Sequence, residues 1–149
     1  MSKESVWDYP RPPRVEPVEK TIRVEFNGVE MARSNRALRV LETSHPPVYY
    51  IPQEDVRMDL LERAPGKTFC EWKGNASYWT ARAGGRVAQK SAWTYAEPTP
   101  AFAAIRDHIA FYASRMDGCF VDDEKAVPQQ GDFYGGWITA DLEGPFKGS

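Results

Sequence analysis

Cysteine and histidine are scarce in this chain of 149 residues, which has only Cys70, Cys119, His45 and His108. None of the four forms a Cys-x-x-Cys unit or a histidine pair at helical spacing, the patterns on which zinc sites are usually built. No metal site is expected, and no motif calls for a cofactor. A chain of this length hides roughly two thirds of its unfolded surface, so its fold needs no disulfide staple. No apolar run approaches the ~20 residues of a membrane span, so no membrane partner is expected. The first fourteen residues lack the apolar centre of an export signal. The expected location is therefore the cytoplasm, with both thiols reduced.

Charge of one sign is lacking too. Nineteen basic residues stand against 21 acidic ones, for a net charge of −2, and they are spread along the chain. Without a concentrated basic stripe, nucleic acid is not an expected partner. A phosphate cradle would need a Gly-rich loop leading into a helix. Gly84-Gly85 instead lies between two strand-like stretches, and Gly135-Gly136 precedes the strand-like Trp137-Ile138-Thr139. Asp122-Asp123-Glu124 reads as a charged hairpin turn.

What the sequence does have is alternation and aromatic rings. Ile22, Val24 and Phe26 alternate with Arg23 and Glu25, Asn27-Gly28 follows, and Val29 and Met31 resume the pattern. Asn-Gly between alternating segments is a strong hairpin signal. Leu38 and Val40, then Val48-Tyr49-Tyr50-Ile51, predict further strands on either side of the His45-Pro46-Pro47 break. Two more are expected around Phe69–Trp72 and Ser77–Ala83, with Gly84-Gly85 turning the chain into Val87–Tyr95. A short helix is expected over 53–64. A substantial one is expected over about 100–115, where Thr99 can cap, Pro100 fits the first turn, and Phe102, Ile105, Ile109 and Tyr112 recur at helical spacing.

The predicted class is mainly β (α+β), with one domain over 21–127. Residues 1–20 form a proline-rich arm, and 128–149 a tail rich in glycine and aromatics, including Phe133, Tyr134 and Trp137. Both are expected to pack on the domain. The alternative use of arm and tail is to reach a second copy and form a homodimer.

Five Trp and seven Tyr exceed the needs of a core this size. Tyr50, Trp72, Tyr78, Trp79, Trp93 and Tyr95 lie on segments that must pair in sheets, and they are the candidate walls of a small-ligand pocket. Alternation sends Tyr78 and Trp79 to opposite faces and keeps Trp93 with Tyr95. Replacing Trp93 by Ala is expected to weaken binding more than the fold. Glu42, Asp55 and Lys73 are candidate polar anchors. In the enzymatic alternative, Glu42 or Asp55 is a general base with Lys73 or Cys70 beside it, because a carboxylate among rings has a raised pKa. Cys70 could also be a nucleophile near the cation of Lys73. The plainer reading is that both cysteines are small buried residues and that the rings fill a core.

The same segments carry a family resemblance. Asn27-Gly28, Ser34-Asn35-Arg36-Ala37-Leu38, Glu42, Pro47-Val48-Tyr49-Tyr50-Ile51-Pro52, Asp55-Val56, Cys70, Lys73-Gly74, Ala76, Tyr78-Trp79, Ala92-Trp93 with Tyr95, and Pro98 with Pro100 together resemble a bacterial family of domains of unknown function, number four-two-seven. Arg33 and Glu71 depart from the family pattern, which often has an acidic residue and proline there. The resemblance implies a β-tent: two small antiparallel sheets meeting at an angle, as in the thalimidomide-binding module of cereblon and other Mss-four-like proteins. Many such relatives hold zinc through paired cysteines, which this chain lacks. The family is sometimes labelled nucleotidyltransferase, although no residues here carry that chemistry. The expected function is binding of an unidentified small molecule.

Overall fold

The computed structural model describes residues 3–130 and 135–146, and most of its regular structure is strand, with short 3-10 segments between. Phe133, Tyr134 and residues 147–149 lie outside the described residues. The first alternating stretch forms β3 (Ile22–Phe26), which buries Ile22, Val24 and Phe26 and turns Arg23 and Glu25 outward. Asn27 and Gly28 take φ of 50° and 76°, the left-handed pair that a two-residue hairpin turn requires, and lead into β4 (Val29–Ser34). Later in the chain β11 (Gly118–Val121) pairs with the free side of β3 and is itself edged by β12 (Glu124–Lys125). This gives an antiparallel sheet of order β12-β11-β3-β4.

A second antiparallel sheet has the order β10-β9-β8-β7, made of β7 (Leu61–Cys70), β8 (Gly74–Ala83), β9 (Arg86–Thr94) and β10 (Ala110–Phe111). Its central turn is Gly84-Gly85, again with both φ positive. The two glycine turns meet, for the Asn27 side-chain amide donates to the Ala83 carbonyl at 2.8 Å. A Cβ at Gly84 would sit 2.5 Å from that amide nitrogen, so the approach needs glycine. A third sheet, β2-β5-β6, joins β2 (Arg14–Pro17), β5 (Leu38–Leu41) and β6 (Val48–Tyr50). Two smaller pairings complete the set: β1 (Glu4–Ser5) runs parallel to β15 (Leu142–Glu143), and β13 (Val127–Pro128) runs antiparallel to β14 (Trp137–Ile138).

Burial follows the strand period. The largest apolar cluster joins Ile22, Phe26 and Met31 of the first sheet to Ala81, Ala92 and Phe111 of the second, and Trp137 is seated in it. A second cluster holds Val40 and Tyr50 of the third sheet against Trp93 and Tyr95, with Phe102 and Ile105 beneath. Val6, Tyr9, Leu41 and Leu142 form a third, smaller cluster.

The predicted helix over 100–115 is not there. Its place is taken by a six-residue 3-10 segment, Pro100–Ile105, kinked at Phe102, then β10, then a 3-10 turn at Ala113–Arg115. The four apolar residues that suggested it are all buried, so the spacing reported burial correctly but not conformation. Hydrogen bonding explains the difference. Asp107 takes a φ of 61° and its N–H donates to Tyr95, while Ile51 and Ile109 exchange both backbone bonds at 2.8 Å. Pairing with strands thus satisfies backbone groups that a helix would have used internally, and tertiary context overrides local propensity. The shorter helix expected over 53–64 is likewise two 3-10 turns, Gln53–Asp55 and Met58–Leu60, followed by the start of β7. Among the described residues no helix is long and apolar enough to cross a membrane.

Candidate functional site

The second and third sheets face each other across a cavity of about 650 Å³. One wall comes from β5 and β6 with the loop between them: Val40, Glu42, His45, Pro46, Val48 and Tyr50. The other comes from the ends of β7, β8 and β9 and the turn at residues 70–73, and brings Cys70, Trp72, Lys73, Tyr78, Trp93 and Tyr95. Tyr112, just past β10, adds a further ring.

The rings form a connected set. Trp93 lies 4.5 Å from Tyr112 between centroids and meets Tyr50 nearly edge-on at 6.3 Å. Its indole N–H also donates to the Tyr50 hydroxyl at 3.3 Å. Tyr95 lies 6.4 Å from Tyr50. Such offset and edge-on contacts suit the ring quadrupole, with the negative face of one ring near the positive edge of another. A Cβ at Gly135, whose φ is 71°, would fall 2.5 Å from the Trp93 ring, so backbone backs this wall where no side chain would fit.

Of the predicted wall residues, Tyr50, Trp72, Tyr78, Trp93 and Tyr95 share the cavity, and so do Glu42, Lys73 and Cys70. Two candidates lie elsewhere. Trp79 follows Tyr78 on β8 and so projects to the opposite face, where it packs against the largest core cluster. Asp55 sits in the 3-10 turn Gln53–Asp55, where it accepts hydrogen bonds from the Ser34 hydroxyl at 2.7 Å and Arg36 Nε at 2.9 Å. Arg36 holds its carboxyl below the usual carboxylate range, the opposite of the raised value a general base among rings would show. Trp93 is only 6% exposed and belongs to the second core cluster, so its loss is expected to cost stability as well.

Ten of the cavity residues are not among the sequence candidates, Tyr112, His45 and Val48 among them. Tyr112 falls in the stretch where the spacing predicts a helix. His45 is buried with Nε2 3.9 Å from the Glu42 carboxylate, and Val48 flanks it across Pro46 and Pro47. The His45-Pro46-Pro47 break was the available signal, since a buried loop beside two strand ends is where pockets form. Cys119 lies in the largest core cluster, where burial pushes its thiol well above the ordinary range, as befits a structural cysteine. Neither cysteine is in a disulfide. Among the described residues, no three His, Cys, Asp or Glu side chains converge in a way that could hold a metal ion.

Burial raises the pKa of Tyr50 and Tyr95 strongly, and that of Tyr49 to about 12 from a usual 10.0. Their neutral phenols therefore stabilise the fold fully below pH 10, and that contribution is lost as pH rises through the folded-state values. Alkaline titration is expected to show these three ionising only as the protein unfolds, so phenolate absorbance and loss of tertiary signal coincide. Ionisation of all the tyrosines near pH 10 with the fold intact would refute the burial account.

In comparison with known proteins, a family model described as "Domain of unknown function (DUF427)" matches residues 14–122. No curated protein matches the chain.

Proposed function

The chain belongs to the DUF427 family, and we propose that it is a small-molecule binding module whose ligand occupies the cavity between the second and third sheets. One observation carries the reading: the cavity, about 650 Å³, is ringed by Tyr50, Trp72, Tyr78, Trp93, Tyr95 and Tyr112 with few charges among them. Ligand sites generally take this form, a concave apolar chamber of ~300–1,000 Å³ with a few placed polar groups. In this reading the second and third sheets are the two flaps of the β-tent that the sequence resemblance implies, and the ligand lies where the flaps meet.

A thermal-shift screen of metabolites, amines, amides and heterocycles tests it, with Trp72→Ala alongside the wild type. Trp72 lines the cavity but is only half-buried, so its loss is expected to remove ligand contact at modest cost to the fold. A compound present at a hundred times its Kd stabilises the native state by about 2.7 kcal/mol. The expected result is a compound that raises the melting temperature of the wild type and shifts Trp72→Ala much less. A compound that shifts both equally binds elsewhere, and a screen without any shift overturns the proposal.

A catalytic use of the same cleft has one observation in its favour. Glu42 and His45 are neighbours at 3.9 Å and both line the cavity, an arrangement suited to proton transfer. Conversion of a bound compound that Glu42→Gln abolishes without loss of binding would establish it.

A further inference from the structure

The charges in the cavity are arranged in a way that the aromatic walls do not explain. Arg11 and Glu71 stand exposed at its rim, whereas Glu42 and Lys73 are half-buried. Lys73 lies with Nζ 6.0 Å from the Tyr95 ring centre and 5.8 Å from that of Phe102. Among the described residues, no carboxylate comes within 4.0 Å of it. Glu42 has the His45 imidazole Nε2 beside it at 3.9 Å. The two opposite charges thus line one cavity without pairing with each other.

Both are also held in place. The Lys73 carbonyl accepts the Thr99 backbone N–H at 3.0 Å, which fixes the turn between β7 and β8. The Glu42 carbonyl accepts the His45 N–H at 3.0 Å, which fixes the start of the β5–β6 loop. One charge therefore belongs to each wall, on anchored backbone, with rings between. Withdrawing a charge from water without a partner is costly. A ligand carrying one charge would cover the second residue and leave it unpaired, whereas a ligand carrying both would satisfy each.

We infer that the cavity selects a small zwitterion with an aromatic or flat body. Its carboxylate accepts hydrogen bonds from the Lys73 ammonium, and its ammonium donates to the Glu42 carboxylate. The body lies against the half-buried rings of Trp72 and Tyr78. This inference rests on the proposed binding function and gives it a ligand class.

Calorimetric titration of the full chain tests it with two matched sets. The first is para-(aminomethyl)benzoate with para-toluate and para-methylbenzylamine; the second is tryptophan with indolepropionate and tryptamine. In at least one set the zwitterion is expected to bind about tenfold or more tighter than either singly charged analogue, the effect of one hydrogen bond to a charged group. Lys73→Met is expected to remove the advantage over the amine, and Glu42→Gln the advantage over the acid. Lys73→Arg is expected to retain most of it. The inference is overturned if singly charged analogues match the zwitterion in both sets, if Lys73→Met weakens amine and acid alike, or if none of the compounds binds. The binding function itself survives any of these results when the wider screen yields a compound whose effect depends on Trp72.

Discussion

Trp137→Ala is expected to lower the unfolding free energy by about 3–5 kcal/mol, the usual cost of removing a fully buried tryptophan. The residue is 1% exposed, its ring packs on Tyr49 at 5.0 Å, and its indole N–H donates to the Phe111 carbonyl at 3.0 Å. Phe111 belongs to β10, an edge strand of its sheet, so the indole satisfies a group that the sheet leaves open. Truncation opens a cavity in the largest core cluster and strands that carbonyl together. Trp137→Phe keeps most of the ring and loses only the bond, so its cost should be nearer 1–3 kcal/mol, roughly that of one buried unsatisfied group. Urea unfolding with the two variants side by side measures both. A loss below about 1 kcal/mol for the alanine variant would mean that the segment after residue 130 is dispensable to the core. The point matters because Trp137 lies outside the stretch 14–122 that the family model covers. A fragment cut to those limits is expected to leave the Tyr49 and Phe111 surfaces uncovered.

The second large effect is at the cavity wall. Trp93→Ala should cost about 3 kcal/mol of stability, near the lower end for a buried tryptophan, because the space it vacates merges with an existing cavity. It also removes the contacts to Tyr112 and Tyr50 and the hydrogen bond to the Tyr50 hydroxyl. Loss of fold and loss of binding would then be confounded, which is why Trp93→Phe is the informative partner. That variant is expected to retain most of the stability while weakening whatever ligand the wild type holds. Comparing chemical denaturation with calorimetric binding for both variants separates the roles. If Trp93→Phe binds as tightly as the wild type, the indole serves the core alone.

Period-two alternation and glycine turns made much of this architecture readable in advance. Ile22, Val24 and Phe26 point inward as their spacing required, and Asn27-Gly28 and Gly84-Gly85 turn with the positive φ values that such pairs favour. The misreading of 100–115 had a definite physical origin. Phe102, Ile105 and Tyr112 are buried in the second cluster and Ile109 in the first, and a two-residue strand at Ala110–Phe111 is too short to leave a period of its own. Long-range pairing decides the conformation there, Ile109 with Ile51 and Ala110–Phe111 with β9, and no local window contains it.

The cavity was legible to the same degree and for the same reason. Tyr78, Trp93 and Tyr95 converge because strand alternation and hairpin pairing fix their faces: Tyr78 stands opposite Trp93 across β8 and β9. That rule already excluded Trp79, its neighbour on β8. Asp55 lies only five residues after Tyr50, yet it sits in the 3-10 turn that follows Pro52 and its carboxylate meets Arg36. Tyr112 was lost with the helix that was supposed to carry it. Glu42, Trp72 and Lys73 lie outside the strands yet line the cavity, because Glu42 directly follows β5 and the other two lie in the short turn between β7 and β8.

The parallel pairing of β1 with β15 bears on how the molecule is made. Glu4 and Ser5 emerge from the ribosome more than a hundred residues before the strand they join, Leu142–Glu143. Val6 and Tyr9 share a small cluster with Leu142, so the pieces that enclose it are separated by almost the whole sequence. Contacts that close so large a loop form slowly, since most of the chain's freedom must be surrendered before they are rewarded. During synthesis Val6 and Tyr9 therefore remain partly uncovered, and available to chaperones, until Leu142 arrives.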